Sequence, residues 1–131
     1  MTGTPTPTDR RYAPSHEWAK VDGSEVTVGI TDHAQSELTD IVFVELPAEG
    51  KPVAKGASVL VLESVKTVAD VYAPVSGTLL AVNGELKTHP ELINQDPYGR
   101  GWLFRIRSAA VPDLGDLLDA GAYDALASKG G

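Results

Sequence analysis

The sequence has no cysteine, and its single methionine is Met1. Without cysteine the chain forms neither a disulfide nor a thiolate metal site, so redox chemistry would require a group acquired from elsewhere. Basic residues are also scarce, because 11 Lys and Arg stand against 18 Asp and Glu, which gives a net charge of -7. Such a surface repels a phosphate backbone, and we expect no nucleic-acid partner.

Long apolar runs are missing as well. No stretch approaches the roughly 20 apolar residues of a membrane-spanning helix, and the N-terminal MTGTPTPTDRR lacks the apolar centre of a signal peptide. We therefore expect no membrane association and a cytoplasmic location.

Several catalytic signatures are absent. The three histidines, His16, His33 and His89, do not have the spacing of metal ligands, and we expect no metal site. There is no phosphate-binding glycine loop and no nucleophile elbow. A stand-alone enzyme built on His16 and Glu17 is therefore the weakest functional hypothesis.

The residues that are abundant favour short strands. Gly 13 and Pro 9 indicate many turns. Asp22-Gly23 predicts a hairpin turn, and in the strand that follows Val26, Val28 and Ile30 alternate with Glu25, Thr27 and Gly29. In SVLVLES, the valines 59 and 61 alternate with the leucines 60 and 62, which predicts a strand buried on both faces.

The remaining segments predict further strands and small helices. TDHAQSELTD predicts a short helix capped by Thr31 or Asp32. Asn83-Gly84 predicts a turn, and PELINQDPYGRG is rich in turn residues. In WLFRIRS, Trp102, Phe104 and Ile106 are expected on one face of a strand.

Both ends of the chain differ from its middle. Residues 1–11, rich in Thr, Pro and Gly, predict a flexible lead-in to a single domain at 12–131. After Pro112 the apolar period becomes helical, which predicts a helical tail at about 112–129 that ends near Gly130. Its apolar stripe is Leu114, Leu117, Leu118, Tyr123 and Leu126.

Together these patterns predict a mainly β protein, an antiparallel barrel or sandwich with short peripheral helices and a C-terminal helix.

Lys66 lies between two apolar strands in VLESVKTVADVYAP, which places it at or near a hairpin tip. A lysine at a tip is an ordinary solvated residue that also discourages aggregation. It is also a well-defined landmark for an enzyme that modifies one amine. Glu63 and Asp70 flank it, and their carboxylates either solvate the hairpin or take part in recognition.

Four segments resemble the H protein of the glycine cleavage system, and the resemblance spans about residues 12–128. They are YAPSHEW, VGITDHAQSELTDIVFVELPAEG, ESVK with DVYAPVSGTLLAVN, and PELINQDPYGRGWLFRI. The resemblance implies a flattened barrel-sandwich of two antiparallel sheets, of the lipoyl and biotinyl carrier type. It further implies a non-catalytic carrier with (R)-lipoate bound to Lys66 as N6-lipoyl-lysine.

The same resemblance implies the partners. The P protein, a pyridoxal-phosphate glycine decarboxylase, would load the lipoyl arm with the aminomethyl group of glycine. The T protein, a folate-dependent aminomethyltransferase, would unload it, and the L protein, dihydrolipoamide dehydrogenase, would reoxidise the arm. A lipoate-attaching enzyme is the fourth partner, with Glu63 as a candidate recognition residue.

The family pattern also implies a cleft that shelters the loaded arm. Ser15, Glu17 and Asp70 are the candidate polar residues of this cleft, because a carboxylate can pair with a methylamine cation. Alternatively, Ser15 and Glu17 organise a turn beside Trp18. His33 either lines the same surface or belongs to a segment explained by helix capping at Asp32.

Three related functional hypotheses compete with the resemblance to the H protein. A biotin carrier would have methionines beside its lysine, where this chain has Val65 and Thr67. A lipoyl domain of a ketoacid dehydrogenase would be shorter, without the HEW segment and the helical tail. The third is a lipoyl-relay protein that donates lipoate to other enzymes. The sequence separates this hypothesis poorly from a carrier of the glycine cleavage system.

Overall fold

The computed structural model describes residues 6–108, 114–115 and 117–128. It contains two antiparallel sheets, as predicted: a six-stranded sheet with the order β1-β2-β3-β9-β8-β5 and a three-stranded sheet with the order β4-β6-β7. The strands are β1 (Arg11–Tyr12), β2 (Glu17–Asp22), β3 (Glu25–Ile30), β4 (Ile41–Glu45), β5 (Pro52–Val53), β6 (Ser58–Ser64), β7 (Val68–Tyr72), β8 (Gly77–Val82) and β9 (Phe104–Arg107).

The helices are short and lie between or after the strands. They are α1 (Asp32–Leu38), a 3-10 helix (Gly84–Lys87), α2 (Leu92–Gln95) and α3 (Ala120–Ser128). Thr31 is the N-cap of α1, because its Oγ1 accepts a hydrogen bond of 3.1 Å from the Ala34 amide. Asn83 begins the 3-10 helix, so the predicted Asn83-Gly84 turn is the start of a helical turn.

Apolar side chains from both sheets form the main core, which includes Val26, Val28, Leu60, Leu62 and Ile106. The predicted first hairpin is confirmed: Asp22 pairs with Glu25, and Gly23 takes a φ of 65° in its turn. A smaller cluster of Tyr12, Trp18, Ala120 and Tyr123 connects the first two strands to α3. The C-terminal helix is therefore part of the packing around the N-terminal strands.

The prediction that SVLVLES is buried on both faces is wrong. Leu60 and Leu62 are buried, but Val59 and Val61 are only partly buried. The three-stranded sheet packs its leucine face against the core and leaves its other face near solvent. A continuous apolar run in the sequence does not distinguish a strand buried on one face from a strand buried on both.

Trp102 does not share the core face of Phe104 and Ile106. It precedes β9 and packs against the smaller cluster around Trp18, and the Arg105 guanidinium lies 4.5 Å from its ring centroid. The alternation that holds from Phe104 onward does not extend back to Trp102, because the strand begins two residues later.

The helical tail begins later than predicted. Leu117 and Tyr123 are buried, but Leu126 is 36% exposed, so its assignment to the packed stripe is wrong. Leu118 forms a β-bridge with Tyr12, through amide-to-carbonyl hydrogen bonds of 2.8 and 2.7 Å. Pro112 and Gly130, the predicted start and stop, lie outside the described residues.

Residues 6–11, the second half of the predicted lead-in, contact the domain. The Arg10 guanidinium lies 4.5 Å from the Trp18 ring centroid and donates a hydrogen bond of 3.0 Å to the Tyr98 carbonyl. The Tyr12 hydroxyl donates to the Pro7 carbonyl at 2.5 Å. The Arg10 guanidinium therefore covers one face of the buried Trp18 ring.

Gly29 is required by the packing of that same ring. A Cβ at Gly29 would lie 2.6 Å from two carbons of the buried Trp18 indole. We expect Gly29→Ala to lower the free energy of unfolding by about 1–3 kcal/mol, because the indole has no room to shift. Gly84→Ala is the control, since no atom lies within 4 Å of its added methyl. Urea denaturation compares the two, and equal losses would contradict this account.

Candidate functional site

Lys66 lies in a three-residue turn between β6 and β7 and is exposed, which confirms the predicted hairpin. The Ser64 amide donates to the Thr67 carbonyl at 2.8 Å, and the Ser64 hydroxyl oxygen accepts from the Lys66 and Thr67 amides at 3.3 and 3.1 Å. The Val65 amide donates to the Asp40 carbonyl at 3.0 Å. These bonds fix the backbone that carries the amine, while the side chain extends into solvent.

A cleft of about 260 Å³ opens beside this hairpin. It brings together Ser15, Glu17, Asp70 and His33, the residues that the sequence analysis assigned to one surface. Its remaining lining residues are His16, Ile30, Ala34, Glu37, Leu38, Leu62, Ala69 and Val71.

Glu17 is the buried carboxylate of the cleft, with only 3% of its surface exposed. The Ser15 hydroxyl donates to its Oε1, and the Tyr72 amide donates to its Oε2 at 3.2 Å. Burial raises the pKa of Glu17 above its ordinary value, and these hydrogen bonds oppose the shift. Glu17 also organises the preceding turn, because its carbonyl accepts from the Ala13 amide.

Asp70 stands on β7, the edge strand of the three-stranded sheet. It is exposed, and its Oδ1 accepts a hydrogen bond of 2.8 Å from the Ser58 hydroxyl of β6. Asp70 lines the cleft, and the Ser58 contact holds its solvent-accessible carboxylate on the outward face of β7.

Glu37 was not assigned by the sequence analysis, although it lines the cleft. It lies four residues after His33 in α1, and residues at this spacing share one face of a helix. That spacing is the signal that would have identified it. Glu37 is exposed, so it adds negative charge at the cleft from the helical side.

His16 connects the cleft to α3. It takes a positive φ of 77°, and its Nδ1 lies 2.7 Å from the Tyr123 hydroxyl, which in turn lies 2.7 Å from Thr31 Oγ1. Burial, followed by the positive charge of nearby His33, lowers the pKa of His16. Burial raises the pKa of Tyr123 to about 12. A neutral His16 imidazole, whose Nδ1 accepts a hydrogen bond from the Tyr123 hydroxyl, fits these distances.

The cleft suits a narrow chain with an apolar body and a cationic end. Ile30, Leu38 and Leu62 provide apolar surface, and the three carboxylates provide negative charge. Its volume is below the roughly 300–1,000 Å³ of sites for drug-sized ligands.

The cleft also lies within reach of the hairpin tip. Ala69 and Asp70 follow Lys66 by three and four residues, which is about 10–13 Å along an extended strand. A lysine extended by a lipoyl group spans about 10–15 Å, by summing ordinary bond lengths. An arm attached at Lys66 is therefore long enough to enter the cleft.

The described residues contain neither a metal site nor a membrane-spanning helix. Within residues 6–108, 114–115 and 117–128, no three His, Asp or Glu side chains are grouped so as to hold a metal ion. Among these residues there is also no helix of the length and apolarity that crossing a membrane requires.

Comparison with known proteins identifies the family. The model of the glycine cleavage H-protein family matches residues 10–130. The chain belongs to this family. An H protein of the glycine cleavage system from Deinococcus radiodurans is 57% identical over 125 residues, which cover 95% of this chain and 99% of that relative. One from Thermus thermophilus is 56% identical over 117 residues, with coverage of 89% and 91%.

The fold of the H-protein family is also found among solved structures. The crystal structure of a glycine cleavage system H protein from Mycobacterium marinum matches with a TM-score of 0.83 and 42% identity. The match covers 91% of this chain and 96% of that one. The flattened barrel-sandwich predicted from the sequence is thus the architecture of a known H protein.

The raised pKa of Glu17 makes the stability of this H-protein family member depend on pH. A folded state that binds the Glu17 proton more tightly is favoured below the ordinary pKa of 4.5, and this contribution is lost as the pH rises through the raised pKa. We expect Glu17→Gln to remove this dependence, because the amide can still accept from Tyr72 and donate to Ser15.

The measurement is the free energy of unfolding of both proteins between pH 4 and pH 8. The variant should gain stability relative to the wild type as the pH rises above 4.5, up to a plateau. Glu45→Gln controls for the loss of one exposed carboxylate. A difference between Glu17→Gln and wild type that stays constant with pH would refute the assignment.

Proposed function

We propose that this chain carries (R)-lipoate in amide linkage to the Nζ of Lys66, within one carrier domain at residues 12–131. Membership of the H-protein family makes the chain a component of the glycine cleavage system, in the role of lipoyl carrier. The observation that carries the assignment to Lys66 is its exposure on a hydrogen-bonded turn beside a cleft that an attached arm can reach.

The proposed role requires four partner proteins, three in the cycle itself and one that attaches lipoate. The P protein supplies the aminomethyl group of glycine, the T protein removes it, and the L protein restores the oxidised arm. A lipoate-attaching enzyme makes the amide. Lipoate would supply a strained disulfide, whose five-membered ring cannot reach the dihedral angle of about 90° that a relaxed disulfide prefers. The carrier itself is non-catalytic in this proposal, and the chemistry belongs to its partners.

The residues of the chain hold and shield the cargo. The apolar side chains of Ile30, Leu38 and Leu62 exclude water from the arm. The carboxylates of Glu17 and Asp70 attract the ammonium end of the aminomethyl cargo. Burial favours the protonated form of Glu17, and a cation beside it would favour the ionised form, so cargo binding and ionisation of Glu17 support each other.

A lipoyl-relay role is not favoured, because the matching relatives are named for glycine cleavage. The test is exchange of labelled bicarbonate into the carboxyl group of glycine, with the lipoylated chain and its P protein. Exchange that depends on the chain supports the carrier. Transfer of lipoate to other enzymes without glycine exchange would support the relay.

We also propose a cytoplasmic location, which suits a sequence without cysteine.

Lys66→Arg should abolish lipoylation, because a guanidinium does not accept the acyl group. The measurement is the mass of the peptide that contains residue 66, from protein purified from its own cells. Lys51→Arg is the matched control, an exposed lysine outside the hairpin that should leave the lipoyl mass increment intact. Lipoylation that persists in Lys66→Arg, or is lost in Lys51→Arg, would show that another lysine is the attachment site.

Glu17→Gln combined with Asp70→Asn should speed the release of ammonia from the loaded carrier by at least about tenfold, which is about 1.4 kcal/mol. The reason is the loss of charge-assisted hydrogen bonds, each worth about 1.5–3 kcal/mol. The measurement is ammonia release in the absence of the T protein. Glu45→Gln is the control. An unchanged release rate in the double variant would exclude sheltering by these carboxylates.

A further inference from the structure

Exposed apolar side chains are concentrated around Lys66. Val42, Phe43, Val65 and Val68 are 53%, 51%, 65% and 62% exposed. They are four of the seven large apolar residues that the described part of the chain exposes to solvent; the others are Val21, Tyr72 and Leu126. We call Val42, Phe43, Val65 and Val68 the tip patch.

The strand register places Phe43 and Val68 of the tip patch on one face of the three-stranded sheet. Phe43, Glu63 and Val68 are direct neighbours across β4, β6 and β7, so their side chains project from the same face of the sheet. This face is opposite the one that buries Leu62. Val42 is exposed beside Phe43 because the register shifts between Ile41 and Phe43, as in a β-bulge.

The surroundings of the tip patch are acidic. Glu63 stands within it, and the next row on the same face contains Glu45 and Asp70. Asp40 lies in the loop that binds the Val65 amide. An apolar centre with carboxylates in and around it complements a partner surface with apolar residues and a rim of Lys and Arg.

We propose that the tip patch is the docking surface for the enzyme that attaches lipoate to Lys66, an inference that rests on the proposed function. In the attachment, Lys66 Nζ attacks the carbonyl carbon of an acyl-adenylate. A new C–N bond forms, the C–O bond to the phosphate breaks, AMP leaves, and the amine proton passes to solvent. No oxidant or reductant is needed.

The attaching enzyme differs from the other partners in how far from the Lys66 Cα the reacting atom lies. The attaching enzyme forms a bond at Nζ, only about 6 Å from the Lys66 Cα, so its surface must approach the residues on either side of the turn. The P, T and L proteins react at the far end of an arm of about 10–15 Å. Their reacting atoms therefore lie farther from the tip patch than the atom at which the attaching enzyme forms its bond.

The tip patch also distinguishes Lys66 from the other lysines. Lys20, Lys51, Lys55 and Lys87, the other lysines within the described residues, lie outside β4, β6, β7 and the turn that joins β6 to β7. Exposure alone is shared by several lysines. The combination of an exposed amine, a fixed turn and an apolar surface on both flanks is found at Lys66.

The experiment uses the full unmodified chain, lipoate, ATP and a purified lipoate-attaching enzyme, with initial rates measured by intact mass. We expect Phe43→Ser with Val68→Ser to lower kcat/KM for lipoylation by about tenfold or more, mainly through a higher KM, because a buried apolar contact is lost. Val21→Ser with Leu126→Ser is the matched control, which removes two exposed apolar residues elsewhere and should keep the wild-type rate. Thermal unfolding verifies that both variants are folded.

Each outcome is decisive. Wild-type rates in the Phe43→Ser, Val68→Ser variant overturn the docking proposal while leaving Lys66 as the attachment site. Normal lipoylation of that variant, followed by slower glycine exchange with the P protein, assigns the tip patch to the P protein and also overturns it. If the wild-type chain takes up no lipoate at Lys66, the proposed function fails first and this inference fails with it.

Discussion

The buried carboxylate of Glu17 is the contact on which the geometry of the site depends. Glu17 belongs to β2 in the six-stranded sheet, and its Oε2 accepts from the amide of Tyr72 on the edge strand of the other sheet. A buried carboxylate is expensive to desolvate unless donors surround it. Ser15 and Tyr72 supply those donors. The same interaction therefore joins the two sheets, satisfies an edge amide and places negative charge beside the Lys66 hairpin.

The parts of the fold that follow a local pattern were predictable from the sequence. The Asp22-Gly23 turn, the alternation in β3 and the Lys66 hairpin depend on neighbouring residues, and each was confirmed. The faces of β6 were not predictable, because an apolar run carries no information about what covers the second face. Leu118 was expected in a helix, but its backbone pairs with Tyr12, a long-range contact that helical periodicity does not encode. The structure places the four predicted cleft residues together, and the helical spacing of Glu37 from His33 was a signal that the prediction did not use. The His16–Tyr123 contact joins residues 107 positions apart, which no local pattern encodes.

The three-stranded sheet packs one face into the core and carries the proposed docking surface on the other. Leu60 and Leu62 pack into the core and anchor the hairpin, which leaves Glu63 and Val61 toward the outer side. A strand alternates its side chains at every residue, so this division needs no extra chain length. Edge strands and exposed apolar residues are ordinarily aggregation hazards. Here Glu45, Glu63 and Asp70 lie within the outer face, and their like charges oppose pairing with a second copy.

The cleft and the tip patch are separated by a distance that the unmodified chain does not bridge. A lysine side chain extends about 6 Å, whereas the nearest cleft residues of β7 lie about 10 Å along the strand from Lys66. Before lipoylation, the ammonium of Lys66 and the carboxylates of the cleft therefore act as independent features. The proposed acylation would remove the ammonium charge of Lys66 and lengthen the side chain enough to enter the partly apolar cleft, which the unmodified lysine does not reach. In the proposed function the two surfaces serve successive stages of one cycle, because the proposed modification at Lys66 would give the arm access to the cleft.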